Sequence, residues 1–211
     1  MSEPTKQMSE ELDKVYEALY NDVVHIFTRY KLFTDLYDDK ATGKILEIAA
    51  YQFFGELRSI ILENIILLIC QLMDKPEIGK SENLCIAKLV KLVNETKPGL
   101  SKETGLDDIF SELTMATADM RLIRNKFLAH NDWLSREEFL PIVMKDNLES
   151  TLKLLEKALL VTAQAFRRPA PYCGCHGNMG LGIVFTLQQW SILMKLHLPK
   201  IWKTYEDRHS N

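Results

Sequence analysis

Apolar positions along the chain recur every three or four residues through most of its length. Between residues 9 and 30, Leu12, Val15, Leu19, Val23, Ile26 and Phe27 mark one buried helical face. Ser9 followed by Glu10 and Glu11 predicts the start, because a hydroxyl caps free amides and acids suit the positive helix end. A polar break, KLFTDLYDDKATG, follows and ends at Gly43. Residues 44–74 are apolar on more than one side, which predicts a central helix with Glu56, Arg58, Glu63 and Asn64 on its poorer-packed side. Pro76 and Gly79 stop it, and residues 84–93 predict a short amphipathic helix closed by Lys97, Pro98 and Gly99.

The next stripe, Ile109, Leu113, Ala116, Met120, Ile123 and Phe127, predicts one helix from about Asp107 to the neighbourhood of Asp132. Ser135 with Glu138 is a possible capping box that Pro141 cuts short. Asp146 with Glu149 marks a better start for a helix buried through Leu148, Leu152, Leu155, Leu159 and Phe166. A Gly-rich link, RRPAPYCGCHGNMGLG, separates it from a last helix over residues 183–203 that carries Trp190 and Trp202. No stretch alternates at period two, so no β-sheet is expected. The sum is an all-α bundle of about four to six helices over residues 1–168, with a linker and C-terminal helical extension over 169–211.

Composition changes this picture little. A 46% hydrophobic and 26% charged chain of 211 residues is an ordinary folded protein with a full core. The net charge of −3 argues against binding nucleic acid through a broad basic surface, but leaves room for a local phosphate site. The amino terminus is acidic and polar, unlike a signal or transit peptide, and the longest apolar runs are too short or too polar to span a bilayer. A cytoplasmic protein with no membrane partner is expected. Cys70 and Cys85 read as reduced core residues. Cys173, Cys175 and His176 bring soft ligands close together, but no second pair stands at zinc-finger spacing, so no metal or cofactor is expected.

Candidate chemistry sits in RLIRNKFLAHND, residues 121–132. Arg124 offers a fixed, charged fork that matches phosphate oxygens, and His130 can gain or lose a proton near neutral pH. On a regular helix the two project about 120° apart, separated by roughly 9 Å along the axis, each about 60° from the centre of the apolar stripe. They do not share a face. Cooperation therefore requires either a twofold axis pairing this helix with its copy or a helix break near Ala129. A plainer reading pairs Arg124 with a carboxylate such as Glu63 at a helix contact, and has His130 capping the last carbonyls.

RNKFLAHND resembles the motif of the HEPN superfamily, in which an Arg, a polar residue and a His four to six positions after the Arg lie in a helical bundle. Arg124, Asn125 and His130 match it. The long apolar segment YQFFGELRSIILENIILLICQLMD, the NLCIAKLVKLV helix and the RNKFLAHND block follow the order of its abortive-infection (Abi U-type) branch. The resemblance covers about residues 8–168. It implies a four-helix core with short extra helices, commonly a homodimer, and often a metal-independent endoribonuclease of toxin–antitoxin or phage-defence systems. Some members bind without cutting, so a non-catalytic module for RNA, a nucleotide or a protein partner is the alternative.

The implied chemistry is attack by the ribose 2′-OH on the adjacent phosphorus, giving a cyclic phosphate and a 5′-hydroxyl. His130 would move the proton, Arg124 would stabilise phosphoryl charge, and Asn125 would position phosphate or imidazole. Arg121 and Lys126 are candidates for backbone phosphates, and Asp132 for orienting His130. RNA, a second copy of the chain and an antitoxin protein are the partners this reading implies.

Overall fold

The structure, a computed structural model, describes residues 8–128, 145–173 and 187. Its helices are α1 (Glu10–Tyr37), α2 (Lys40–Leu72), α3 (Ile86–Thr96), α4 (Leu100–Glu103), α5 (Leu106–Ala116), α6 (Ala118–Ile123) and α7 (Lys145–Ala165). A π-helical turn, Arg124–Leu128, continues α6. The described residues are almost wholly helical, the all-α class that the sequence predicts. The one departure is a ribbon of β1 (Glu77–Ile78) and β2 (Ser81–Glu82), antiparallel, with Glu77 opposite Glu82 and Ile78 opposite Ser81. Two-residue strands are too short for a period-two pattern. The turn instead depends on Gly79, whose φ of 65° suits a two-residue hairpin loop.

Contacts group the described residues into two compact units, one of residues 8–28, 63–128 and 145–173, the other of residues 29–62. In the first unit, α1 begins as its sequence predicts: Ser9 Oγ accepts the Leu12 amide at 3.3 Å and three acids occupy the first turn. Leu12, Leu19, Val23 and Ile26 are buried, as are Ile65, Ile69, Ile86, Leu89 and Leu113. Helix α5 packs on α7, which buries the expected Leu148, Leu152, Leu155, Leu159 and Phe166. Gly99 and Gly105, with φ of 81° and 75°, bracket the one-turn α4. Ser101 within α4 is tied back to α3 by donating its hydroxyl to Asn94 Oδ1 at 2.9 Å.

Helix α7 closes in a Schellman motif. The Arg168 amide donates to the Ala163 carbonyl at 2.9 Å, the Arg167 amide to Gln164 at 3.1 Å, and Arg167 takes a left-handed φ of 54°. Pro169 and Pro171 then prevent any continuation.

The second unit corrects two expectations. The polar break predicted over residues 31–43 shrinks to Asp38 and Asp39, because Phe33 and Leu36 are buried and extend the stripe of α1. Asp39 caps α2, accepting the Thr42 amide at 2.8 Å and its hydroxyl at 3.0 Å, and these bonds hold its carboxyl below the usual range. Helix α2 also departs from helical geometry at Ala50 (φ −167°, ψ 77°), and just beyond it Tyr51, Phe53 and Ile60 are exposed. The expectation of a helix buried most of the way round therefore fails in this half of α2. Tyr37 fastens the two helices by donating its hydroxyl to the Phe54 carbonyl at 2.9 Å, with Arg58 over its ring at 5.9 Å.

Candidate nucleic-acid site

The predicted single helix over residues 107–132 is broken twice. At Thr117 (φ −94°, ψ 3°) α5 ends and α6 begins. The Thr117 hydroxyl donates to the Leu113 carbonyl at 2.8 Å, beside the backbone bond from its own amide at 3.0 Å. A Thr side chain that competes for its own helix carbonyls loosens the turn. It also shifts the stripe: Thr117 is fully buried, whereas Ala116 is only half-buried.

The second break starts at Arg124 itself. A π turn closes its hydrogen bonds one residue later than an α turn, so each residue advances less around the axis. The even 100° spacing that placed Arg124 and His130 on opposite flanks therefore does not hold across Arg124–Leu128. His130 and Asp132 lie outside the described residues.

Arg124 is held across the bundle against the end of α2. Its Nη1 donates to Asp74 Oδ1 at 2.7 Å and to the Cys70 carbonyl at 3.4 Å, while Nε donates to Asn125 Oδ1 at 3.0 Å. The side chain is 19% exposed and Asp74 27%, so the pair is partly desolvated and worth more than a surface ion pair. The carbonyl end of a helix is negative, which adds to the attraction. A carboxylate does pair with Arg124, as the plainer reading of the sequence has it, but it is Asp74 and not the Glu63 named there as an example. Asp74 carried a readable signal: a carboxylate at a helix carboxyl end is electrostatically misplaced unless a cation meets it. Among the described residues Arg124 Nη2 takes no hydrogen bond, which leaves one donor edge of the fork open.

Arg121 turns back along its own chain and donates Nη2 to the Thr114 carbonyl at 3.0 Å, while its buried Nε has no partner among the described residues. Asn125 is exposed and Lys126 half-exposed on the π turn. The structure thus brings together Arg124 and Asn125, adds Asp74 and the Cys70 carbonyl, and keeps part of Arg121 engaged elsewhere.

Burial pushes the Cys70 thiol up to about 11 and the Cys173 thiol up to about 12, so both stay protonated and unreactive at neutral pH. Cys85 is buried and raised in the same way. Cys175 and His176 lie outside the described residues, among which no group of three or more His, Cys, Asp or Glu is placed to hold a metal. No helix among the described residues is long and apolar enough to cross a membrane.

A second polar feature adjoins Asp74. A cleft of about 380 Å³ opens between the α1 face carrying Asp22 and Ile26, the end of α2 at Gln71, Leu72 and Asp74, and Asn83 beyond the β-ribbon. Nothing in the sequence pattern singles it out, because its walls come from three separate segments.

The family model HEPN_AbiU2, described as AbiU2, matches residues 9–139. No curated protein and no solved structure matches the chain. The matched region is more than half of the chain, runs from the start of α1 past the π turn, and contains Arg124, Asn125, His130 and Asp132. On that match and this helical architecture, the chain belongs to the AbiU2 family, an abortive-infection branch of the HEPN superfamily.

Proposed function

We propose that this abortive-infection HEPN module is a metal-independent endoribonuclease. The observation that carries the reading is the placement of Arg124: a partly buried guanidinium fixed by Asp74 and the α2 end, beside Asn125, within the family match. A guanidinium held before substrate arrives stabilises developing phosphoryl charge without the cost of ordering it during reaction. His130 moves the proton as the 2′-oxygen bonds to phosphorus and the 5′-oxygen leaves, an exchange to which imidazole chemistry is suited. Asn125 positions phosphate or imidazole, Asp132 orients His130, and Arg121 and Lys126 meet flanking phosphates. A homodimer sets two copies of the motif around one groove, and a partner protein acts as antitoxin.

The test is incubation of purified protein with single-stranded RNA in EDTA. Cleavage that survives chelation and disappears in both Arg124→Ala and His130→Ala is the expected result. Cleavage that persists in either variant defeats this assignment. In cells, expression of the wild type slows growth and His130→Ala does not; equal growth counts against a toxin. Sedimentation as a monomer at micromolar concentration removes the dimer.

The Arg124–Asp74 ion pair favours a second reading, because a guanidinium already neutralised by a carboxylate is also a fastener between helices. In that case the module binds RNA, a nucleotide or a protein partner without cutting. Intact RNA together with binding that is lost in Arg124→Ala supports it.

A further inference from the structure

The cleft beside Asp74 has a chemistry of its own. Leu68 and Leu84, both half-buried, supply apolar surface over the buried Ile26 and Leu72, and Asp22, Gln71, Asp74 and Asn83 supply polar edges. At about 380 Å³ it falls in the range of about 300–1,000 Å³ found for small-molecule pockets. Asp22 and Ile26 stand four residues apart on α1, so Ile26 is anchored in the core while the same helix face carries the Asp22 carboxylate to the cleft.

The polar groups are biased toward acceptors. Among the described residues no hydrogen bond or ion pair engages the side chains of Asp22 or Gln71. Asn83 Nδ2 donates to the Lys75 carbonyl at 2.7 Å, which leaves Oδ1 to accept. Asp74 has one oxygen bonded to Arg124, so it joins the cleft to the phosphate-binding guanidinium. A negative cleft repels phosphate and takes a flat, partly apolar ring that presents N–H groups. Guanine does so through adjacent N1–H and N2–H donors that match the two oxygens of a carboxylate, whereas uracil presents a single N3–H.

The geometry points to a guanine-binding pocket in which Asp22 receives the base edge while Arg124 holds a neighbouring phosphate. This rests on the nuclease reading only in assigning phosphate to Arg124; the base contacts stand apart from any cleavage. Asn83 and Gln71 complete the rim, and Leu68 and Leu84 pack against the ring.

The test uses uncleavable 2′-O-methyl oligonucleotides, one all uridine and one with a single central guanosine, titrated against the full chain. The guanosine is expected to tighten binding by about tenfold, the value of a good two-point base contact. Asp22→Asn, nearly isosteric but with one donor replacing an acceptor oxygen, removes that gain. Gln71→Ala at an exposed position reduces it while the circular dichroism spectrum stays that of the wild type. Equal affinity for the two oligonucleotides, no binding of either, or a guanosine preference unchanged in Asp22→Asn overturns the pocket. Cleavage of RNA with no guanosine preference defeats the pocket and leaves the nuclease intact. Guanosine-dependent binding without any cleavage does the reverse.

Discussion

Two arginines in the same compact unit, Arg124 and Arg168, each pair with acids from another segment of the chain, yet they are held in different ways. Arg168 is clasped from several sides. It pairs with Asp13 and with Glu17 (2.5 Å), and its guanidinium lies 5.0 Å from the Tyr16 ring centre. It follows the left-handed Arg167 that ends α7, and just beyond it the Tyr172 carbonyl accepts the Tyr20 hydroxyl at 3.0 Å. These contacts bind the end of α7 to α1. Arg124 has one carboxylate, a helix-end carbonyl and its neighbour Asn125, and it sits where α6 gives way to a π turn. Two carboxylates and an aromatic face commit Arg168 to the fold. One carboxylate orients Arg124 and leaves its Nη2 without a partner among the described residues, the edge on which the proposed phosphate contact rests.

The comparison breaks most sharply under substitution. Arg124→Ala is expected to lower RNA cleavage by about 100- to 1,000-fold, the effect of removing a preorganised charge donor. Arg168→Ala should leave the cleavage rate within about twofold at temperatures where both proteins are folded. Similar losses in the two variants would abolish the distinction. A smaller effect follows at the partner of Arg124: Asp74→Ala is expected to cost about tenfold in cleavage through lost positioning, with most of it restored in Asp74→Asn. Unchanged kinetics in Asp74→Ala would mean that the pair orients nothing.

Stability separates them in the other direction. Arg168→Ala is expected to destabilise the fold by about 1 kcal/mol, mainly through the lost stacking and cover over Tyr16, because Asp13 and Glu17 are half-exposed and their charges screened. Chemical denaturation measures it; a change below a few tenths would show the clasp to be decorative. Tyr16 offers a spectroscopic check on the same contact. Burial pushes its phenol up to about 12, and Arg168 partly opposes that rise. Because the folded value exceeds the ordinary 10, the stability due to Tyr16 is complete below pH 10 and is lost as pH climbs through 12. In Arg168→Ala the tyrosinate absorbance should appear at still higher pH in the folded protein; a lower midpoint would contradict the assigned cause. The smallest expected effect is a gain: Arg167→Gly should stabilise by about 0.5–1 kcal/mol, since glycine carries no penalty at a φ of 54°.

Much of this was legible before the fold. Ser9, the stripe of α1 and the buried face of α7 are local patterns, and they formed as the residues predict except that Phe27 is only half-buried. The extent of α1 was under-read because Asp35, Asp38 and Asp39 look like a break, whereas burial of Phe33 and Leu36 carries the helix to Tyr37. The motif's composition was legible and its geometry was not. A hundred degrees per residue assumes an unbroken helix, and both Thr117 and the π turn violate that assumption. The choice of Asp74 over Glu63 was only half legible: Asp74 lies just past the carboxyl end of α2, where a cation is favoured, but packing selects it over the acid within the helix.

The sequence by itself determined the all-α class, the main buried faces and the family, because each follows from residues near one another in the chain. Tertiary structure alone decided which acid meets Arg124, which groups clasp Arg168, and that Asp22, Gln71 and Asn83 share a cleft. Helical periodicity is written over distances of three or four residues. The partner of a charge 50 residues away is set only by how the helices pack.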